Sequence, residues 1–218
     1  MSEAPAQEGW PALPLAPWRD TYHALHMWTQ LLGKTLLPLA PPQSHWWHCA
    51  LRVSARGLAS AAPALQGDRS VDLELDLVDH ALTVRCDDGR SARMPLRSGS
   101  VHAFHDAYLA LLRAAGVEVD LWTTPVEVAN PIPFDRDDVF RRYDPEAAHR
   151  CWQVLRRCDA AFRAFSSAFL GKQSPVLFYW GTFDLAVTRF SGRRAPERPG
   201  SDAITREAMS HEEISFGF

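Results

Sequence analysis

The chain has 218 residues, 46% of them hydrophobic and 22% charged, with a formal net charge of −3. That length suffices for one large domain or two small ones, and the balance is that of a folded protein. The charge excludes the strongly basic footprint of a nucleic-acid binder or a polybasic membrane anchor. No run approaches the roughly 18 apolar residues of a membrane helix. Residues 1–17 are acidic and proline-rich, without the basic start or apolar stretch of a secretory signal, so a cytoplasmic address is expected. Cys49, Cys86, Cys151 and Cys158 lack C-x-x-C spacing and sit among apolar residues, the pattern of reduced core cysteines. Lys34 and Lys172 are the only lysines.

Trp18, Tyr22, Leu25, Thr29 and Leu32 fall at helical spacing, with Asp20 or Thr21 to cap the start and Gly33 to end it. Leu36 to Pro42 reads as an extended connection. Residues 45–55 alternate as a strand with Trp47, Cys49, Leu51 and Val53 on one face. Val71 to Val78 alternates more cleanly, with Asp72, Glu74 and Asp76 opposite the apolar set. Asp79 and His80 turn the chain into Leu82, Val84 and Cys86, and Asp88–Gly89 is a hairpin signal leading to a strand from Ser91 to Leu96. Val101, Phe104, Tyr108, Leu111 and Ala115 make an amphipathic helix ended by Gly116.

A strand is expected from Glu118 to Glu127, broken by the prolines that follow. Asp144 caps a long helix that has Pro145 in its first position and an apolar stripe from Trp152 to Phe169. Pro175 to Trp180 reads as a strand. Thr182 then caps a short helix, with a strand through Arg189 as the competing reading. The expected organisation is a flexible segment at 1–17, a single α+β domain at 18–192 and an irregular segment at 193–218. Its fold is α+β, an antiparallel sheet of about five or more strands packed by two or three helices.

The strong chemical motifs are absent: no G-x-G-x-x-G, no Walker loop, no G-x-S-x-G elbow and no H-E-x-x-H. His45 and His48, three apart, would share a helical face, but a strand sends them to opposite sides and disfavours chelation. The polar face of the sheet presents Trp46, His48, Asp76 and, further along, Trp122. Its plainest reading is a solvated face with arginine–carboxylate pairs across strands. Tryptophans beside ionisable groups favour a small-molecule pocket instead.

The leading expectation is a binding protein or enzyme for a small polar or anionic molecule at that face. Trp46, Trp122 and Trp180 would serve as walls and His48 and Arg189 as donors. Asp76, Glu127 or Asp184 would supply an acid or base. The rivals are an interaction module with no pocket, and a metal site drawing on His26, His48 or His80 with a carboxylate. No nucleic-acid or membrane partner is expected. The sequence specifies no cofactor, reaction or oligomeric state.

Several strings resemble one bacterial family, the domain of unknown function 5996. They are Asp20–Thr21, Leu25–His26, Trp28–Gln30, His45–His48, Asp79–His80, Trp122, Pro125–Glu127, Pro131–Phe134, Trp180–Gly181 and Phe183–Arg193. The last is the most specific, and the resemblance runs from Trp10 onward. It departs at His102 and His105, which match nothing in the pattern. The resemblance implies a soluble bacterial protein and supplies no activity. It also raises the expectation that Phe218 is a shortened end. Polar residues within the pattern are His26, His48, Asp76, His80, Glu127, Asp184 and Arg189.

Overall fold

The computed structural model describes residues 9–218; most of the first half of the expected flexible segment, residues 1–8, lies outside them. In chain order the elements are α1 (Leu15–Leu39), a 3-10 turn (Ser44–Cys49), β1 (Leu51–Val53), β2 (Gly57–Ser60), β3 (Ala64–Gln66), β4 (Arg69–Asp76), β5 (Ala81–Cys86) and β6 (Ser91–Pro95). Then come α2 (Val101–Ala114), a 3-10 turn (Phe134–Arg136), α3 (Pro145–Ser167), β7 (Leu177–Tyr179), β8 (Asp184–Arg194), α4 (Ala203–Ala208) and β9 (His211–Gly217).

The strands form one antiparallel sheet in the order β6-β5-β4-β2-β1-β7-β8-β9, with β3 also paired to β4. This is the α+β fold expected, with a larger sheet. Leu73 faces Val84 and Leu75 faces Leu82 across β4 and β5. Their side chains pack with the apolar stripes of α1, α2 and α3 in one core that also takes in Leu51, Phe178 and Leu185. Alternation thus does its predicted work: burying Val71, Leu73 and Leu75 turns Asp72, Glu74 and Asp76 to the other face. Ser100 caps α2 by accepting from the N–H of Ala103, and Asp144 caps α3 by accepting from that of Ala147.

Four expectations are corrected. Helix α1 does not stop at Gly33 but continues to Leu39, through Pro38. Gly33 serves a close approach instead, because a Cβ there would lie 2.0 Å from Nε1 of Trp180. The strand expected at 45–55 shrinks to β1, since His45 (φ 56°) and Trp46 (φ 61°) take left-handed backbone in the turn before it. No strand forms at 118–127. The chain from Val117 to Pro133 is irregular, and Pro125, Pro131 and Pro133 remove backbone donors there. Finally, residues 193–218 are not irregular. β8 runs to Arg194 as a strand rather than a helix, and α4 and β9 follow. Phe216 of β9 pairs with Val187 and Ile214 with Arg189. With only Ile214 and Phe216 apolar among its residues, β9 carries too short a pattern to read locally.

At the other end, α1 begins at Leu15, ahead of the expected boundary, and Gly9 accepts a hydrogen bond from Arg157 of α3.

Candidate functional site

The polar face of β4 is closed by its own ion pairs. Glu74 accepts from Arg85 at 2.9 Å and from the Ser54 hydroxyl at 3.0 Å, and Arg85 also approaches Asp72 at 3.8 Å. Asp76 accepts from Arg56 at 2.6 Å and from the backbone N–H groups of Val78 and Asp79. Burial acts to raise its pKa. The Asp79 N–H, the Arg56 guanidinium and the Val78 N–H outweigh burial and hold the carboxyl below its ordinary value. These contacts make Asp76 a turn-forming residue.

A second polar array lies along α1. His26, Gln30 and Lys34 recur every four residues and so share one helix face, yet all three are buried. Each is engaged by irregular backbone. Lys34 Nζ donates to the Thr124 carbonyl at 2.8 Å. Gln30 donates to the Val126 carbonyl at 2.8 Å and accepts from its N–H at 2.9 Å. His26 Nε2 lies 2.8 Å from the Gly181 carbonyl. A carbonyl only accepts, so the imidazole proton sits on Nε2, and the 3.2 Å approach of Gln30 Nε2 to it is a contact rather than a bond. Burial pushes the His26 pKa down against the opposing effect of the Gly181 carbonyl, which keeps the ring neutral.

This strip of side chains supplies the hydrogen bonds that the 117–133 segment cannot make within a sheet. By doing so it places Glu127, itself in left-handed backbone (φ 56°), against Gly181, where a Cβ would meet Glu127 Oε2 at 2.1 Å. Glu127 is exposed as a residue, with its carboxyl turned toward Gly181. Its pKa is raised by burial and then by the nearby charges of Asp184 and Asp202. No cation among the described residues pairs with it. Asp184, on the first residue of β8, accepts from the Thr182 hydroxyl.

Beside this cluster runs an apolar groove of about 560 Å³ between α1 and α3, walled by Trp10, Leu15, Trp18, Tyr22, Phe183 and Phe218. Two of its walls connect it to the carboxylates. Tyr22 and Phe183 meet edge-on at 5.1 Å and both pack against the His26 ring, at 6.1 and 5.5 Å. Phe183 is left-handed (φ 60°) and directly precedes Asp184. The indole N–H of Trp18, in the groove wall, has no partner among the described residues.

Of the eight residues singled out from the sequence, Glu127, Trp180 and Asp184 fall together around Gly181. Trp180 wedges against Gly33 and donates to the Cys49 carbonyl at 2.9 Å. Trp122 lies at the far end of the polar strip, with Lys34 Nζ 3.7 Å from its ring centroid. Trp46 and His48 stay in the 3-10 turn, where His48 Nδ1 accepts from the Gln43 N–H. Arg189 is on the helix side of the sheet. There it stacks on Phe165 and Phe169 and donates to the Phe165 carbonyl, beside a smaller cavity of about 380 Å³ lined by Ser166, Phe169 and Gln173. No contact joins His48 to Arg189.

The three histidines considered for a metal go to separate partners, His80 pairing with the Tyr143 hydroxyl at 2.9 Å. No three His, Cys, Asp or Glu side chains among the described residues are grouped to hold a metal. Sequence reasoning missed Tyr22, Trp18 and Phe218 as groove walls, because their helical or terminal position carries only the signal of ordinary core.

No curated protein and no solved structure matches the chain. Residues 10–218 match a family described only as one of unknown function, and on that match the chain belongs to the DUF5996 family.

Proposed function

We propose that the protein binds a small amphipathic amine, with its apolar body in the α1–α3 groove and its ammonium at Glu127 and Asp184. The observation that carries this reading is the Glu127 carboxylate, partly desolvated beside two further carboxylates with no cation among the described residues paired to it. The carboxyl is partly desolvated and like charge is gathered around it, so a bound cation relieves both costs at once. The groove supports the reading independently. Its size and aromatic lining suit a small ligand.

The anionic ligand expected from the sequence finds less support, because its two donors, His48 and Arg189, are each engaged elsewhere. The four cysteines, all buried and unpaired, support a reducing compartment, and we place the protein in the cytoplasm.

The test compares octylammonium with octanoate by tryptophan fluorescence and calorimetry. Octylammonium is expected to bind at least tenfold tighter, about 1.4 kcal/mol. Glu127→Gln should remove that preference, and Leu15→Glu at the exposed rim should weaken both ligands. Equal binding of the two, or no saturation by either, would overturn the proposal. Self-association detected by sedimentation in that second case would favour an interaction module.

A further inference from the structure

Lys34 has features that its role in fastening Thr124 does not require. Its residue is only 2% exposed, yet no carboxylate among the described residues pairs with it. The ammonium is held by a single carbonyl, by the Trp122 ring at 3.7 Å and, more distantly, by the Phe134 ring at 5.9 Å. A threonine or glutamine would satisfy the same carbonyl without placing a charge out of water. Trp122 itself is 57% exposed, so the ring over Nζ lies at the molecular surface. It also belongs to the irregular 117–133 segment, so no strand or helix hydrogen bonds hold it over Nζ.

We propose that Lys34 is an imine-forming lysine, at which the protein takes a small neutral aldehyde as a covalent ligand under the Trp122 ring. The ammonium first gives a proton to solvent. The freed nitrogen lone pair then attacks the carbonyl carbon, and a proton passes from that nitrogen to the carbonyl oxygen to give a carbinolamine. Loss of that hydroxyl as water leaves the imine, which on protonation is an iminium. Burial favours the first step, since it pushes the Lys34 pKa down to about 8.

The surroundings select among electrophiles. An iminium keeps the positive charge that the Trp122 face attracts, whereas acylation deletes it and a carbamate sets an anion against the ring. No second cation among the described residues contacts the site to receive a phosphate or carboxylate, so the aldehyde is uncharged. This inference is independent of the amine-binding proposal, whose site is built on Glu127 and the groove.

The protein carries an internal reference, because Lys172 is its one other lysine. Native protein is treated with propanal and cyanoborohydride, and the adducts are mapped by peptide mass spectrometry. Circular dichroism checks that the fold is retained. Lys34 is expected to be alkylated at least tenfold faster than Lys172, with a rate that levels off near pH 8. Glyoxylate, which carries a carboxylate, is expected to lose that preference. Alkylation of Lys172 without Lys34, alkylation of Lys34 only in denaturant, or a Lys34 rate that climbs unchanged to pH 10 would each overturn the inference. Success or failure here leaves the octylammonium comparison untouched.

Discussion

Gly33 and Glu127 show how single residues shape the region around Gly181. At Gly33 the absent side chain is what matters. The Trp180 indole occupies the space a Cβ would need, and its N–H is tied to the Cys49 carbonyl, so the ring cannot retreat cheaply. Gly33→Ala is therefore expected to destabilise the protein by about 1–3 kcal/mol despite its better helix propensity, as read from urea unfolding. At Glu127 the cost lies in charge. Its pKa is raised in the fold from an ordinary 4.5. The unfolded chain therefore loses this proton first as pH rises, and stability falls through the window just above 4.5. Glu127→Gln is expected to be more stable than the parent at neutral pH, with the difference vanishing as pH falls below the ordinary carboxyl value. An unchanged difference across that range would show that the carboxylate costs the fold nothing.

At the scale of elements, α1 does two jobs with two faces. Its apolar face joins the core through Leu25, Leu32 and Leu36, and its polar strip fastens a segment that has no ladder of its own. Gln30 is the centre of that fastening, since its amide mimics a strand partner for Val126. Gln30→Ala leaves a part-buried N–H and a part-buried carbonyl of Val126 unpaired, at a cost of about 1–2 kcal/mol. The expected sign is early proteolytic cleavage between 117 and 133 while the rest of the chain stays protected. Cleavage distributed over the whole chain would mean that the segment is not separately fastened. The polar strip was visible in the sequence only as scattered helical polar residues, because its partners lie 90 and more positions away.

For the whole molecule, one core under a nine-stranded sheet holds the four cysteines, all free. Burial pushes the Cys49 and Cys151 thiols up to about 12 and raises those of Cys86 and Cys158 as well. All four are expected to resist Ellman's reagent in the native state and to react together on unfolding in guanidinium, because the thiolate is the reactive form. A fast-reacting thiol in the native protein would place one of them outside the core. The same shared core makes the sheet cooperative. Arg189, stacked on Phe165, Phe169 and Phe216, ties β8 and β9 to α3 on the helix side.

The sequence by itself determined what period and punctuation encode. The alternation of β4, the hairpin at Asp88–Gly89, the cap of α3, the reduced cysteines and the α+β class all follow from neighbours within a few residues. It also pointed to Glu127, Trp180 and Asp184 without joining them. Only the tertiary structure decided that these three meet at Gly181, that Asp76 pairs with Arg56 and Arg189 stacks on Phe165, and that Tyr22 and Phe183 wall a groove. The left-handed turn at His45 and Trp46 and the pairing of β9 with β8 are likewise its decisions. The physical reason is common to all of them. Each depends on a partner far along the chain, and a local pattern registers that a residue is buried or exposed but not what it is buried against.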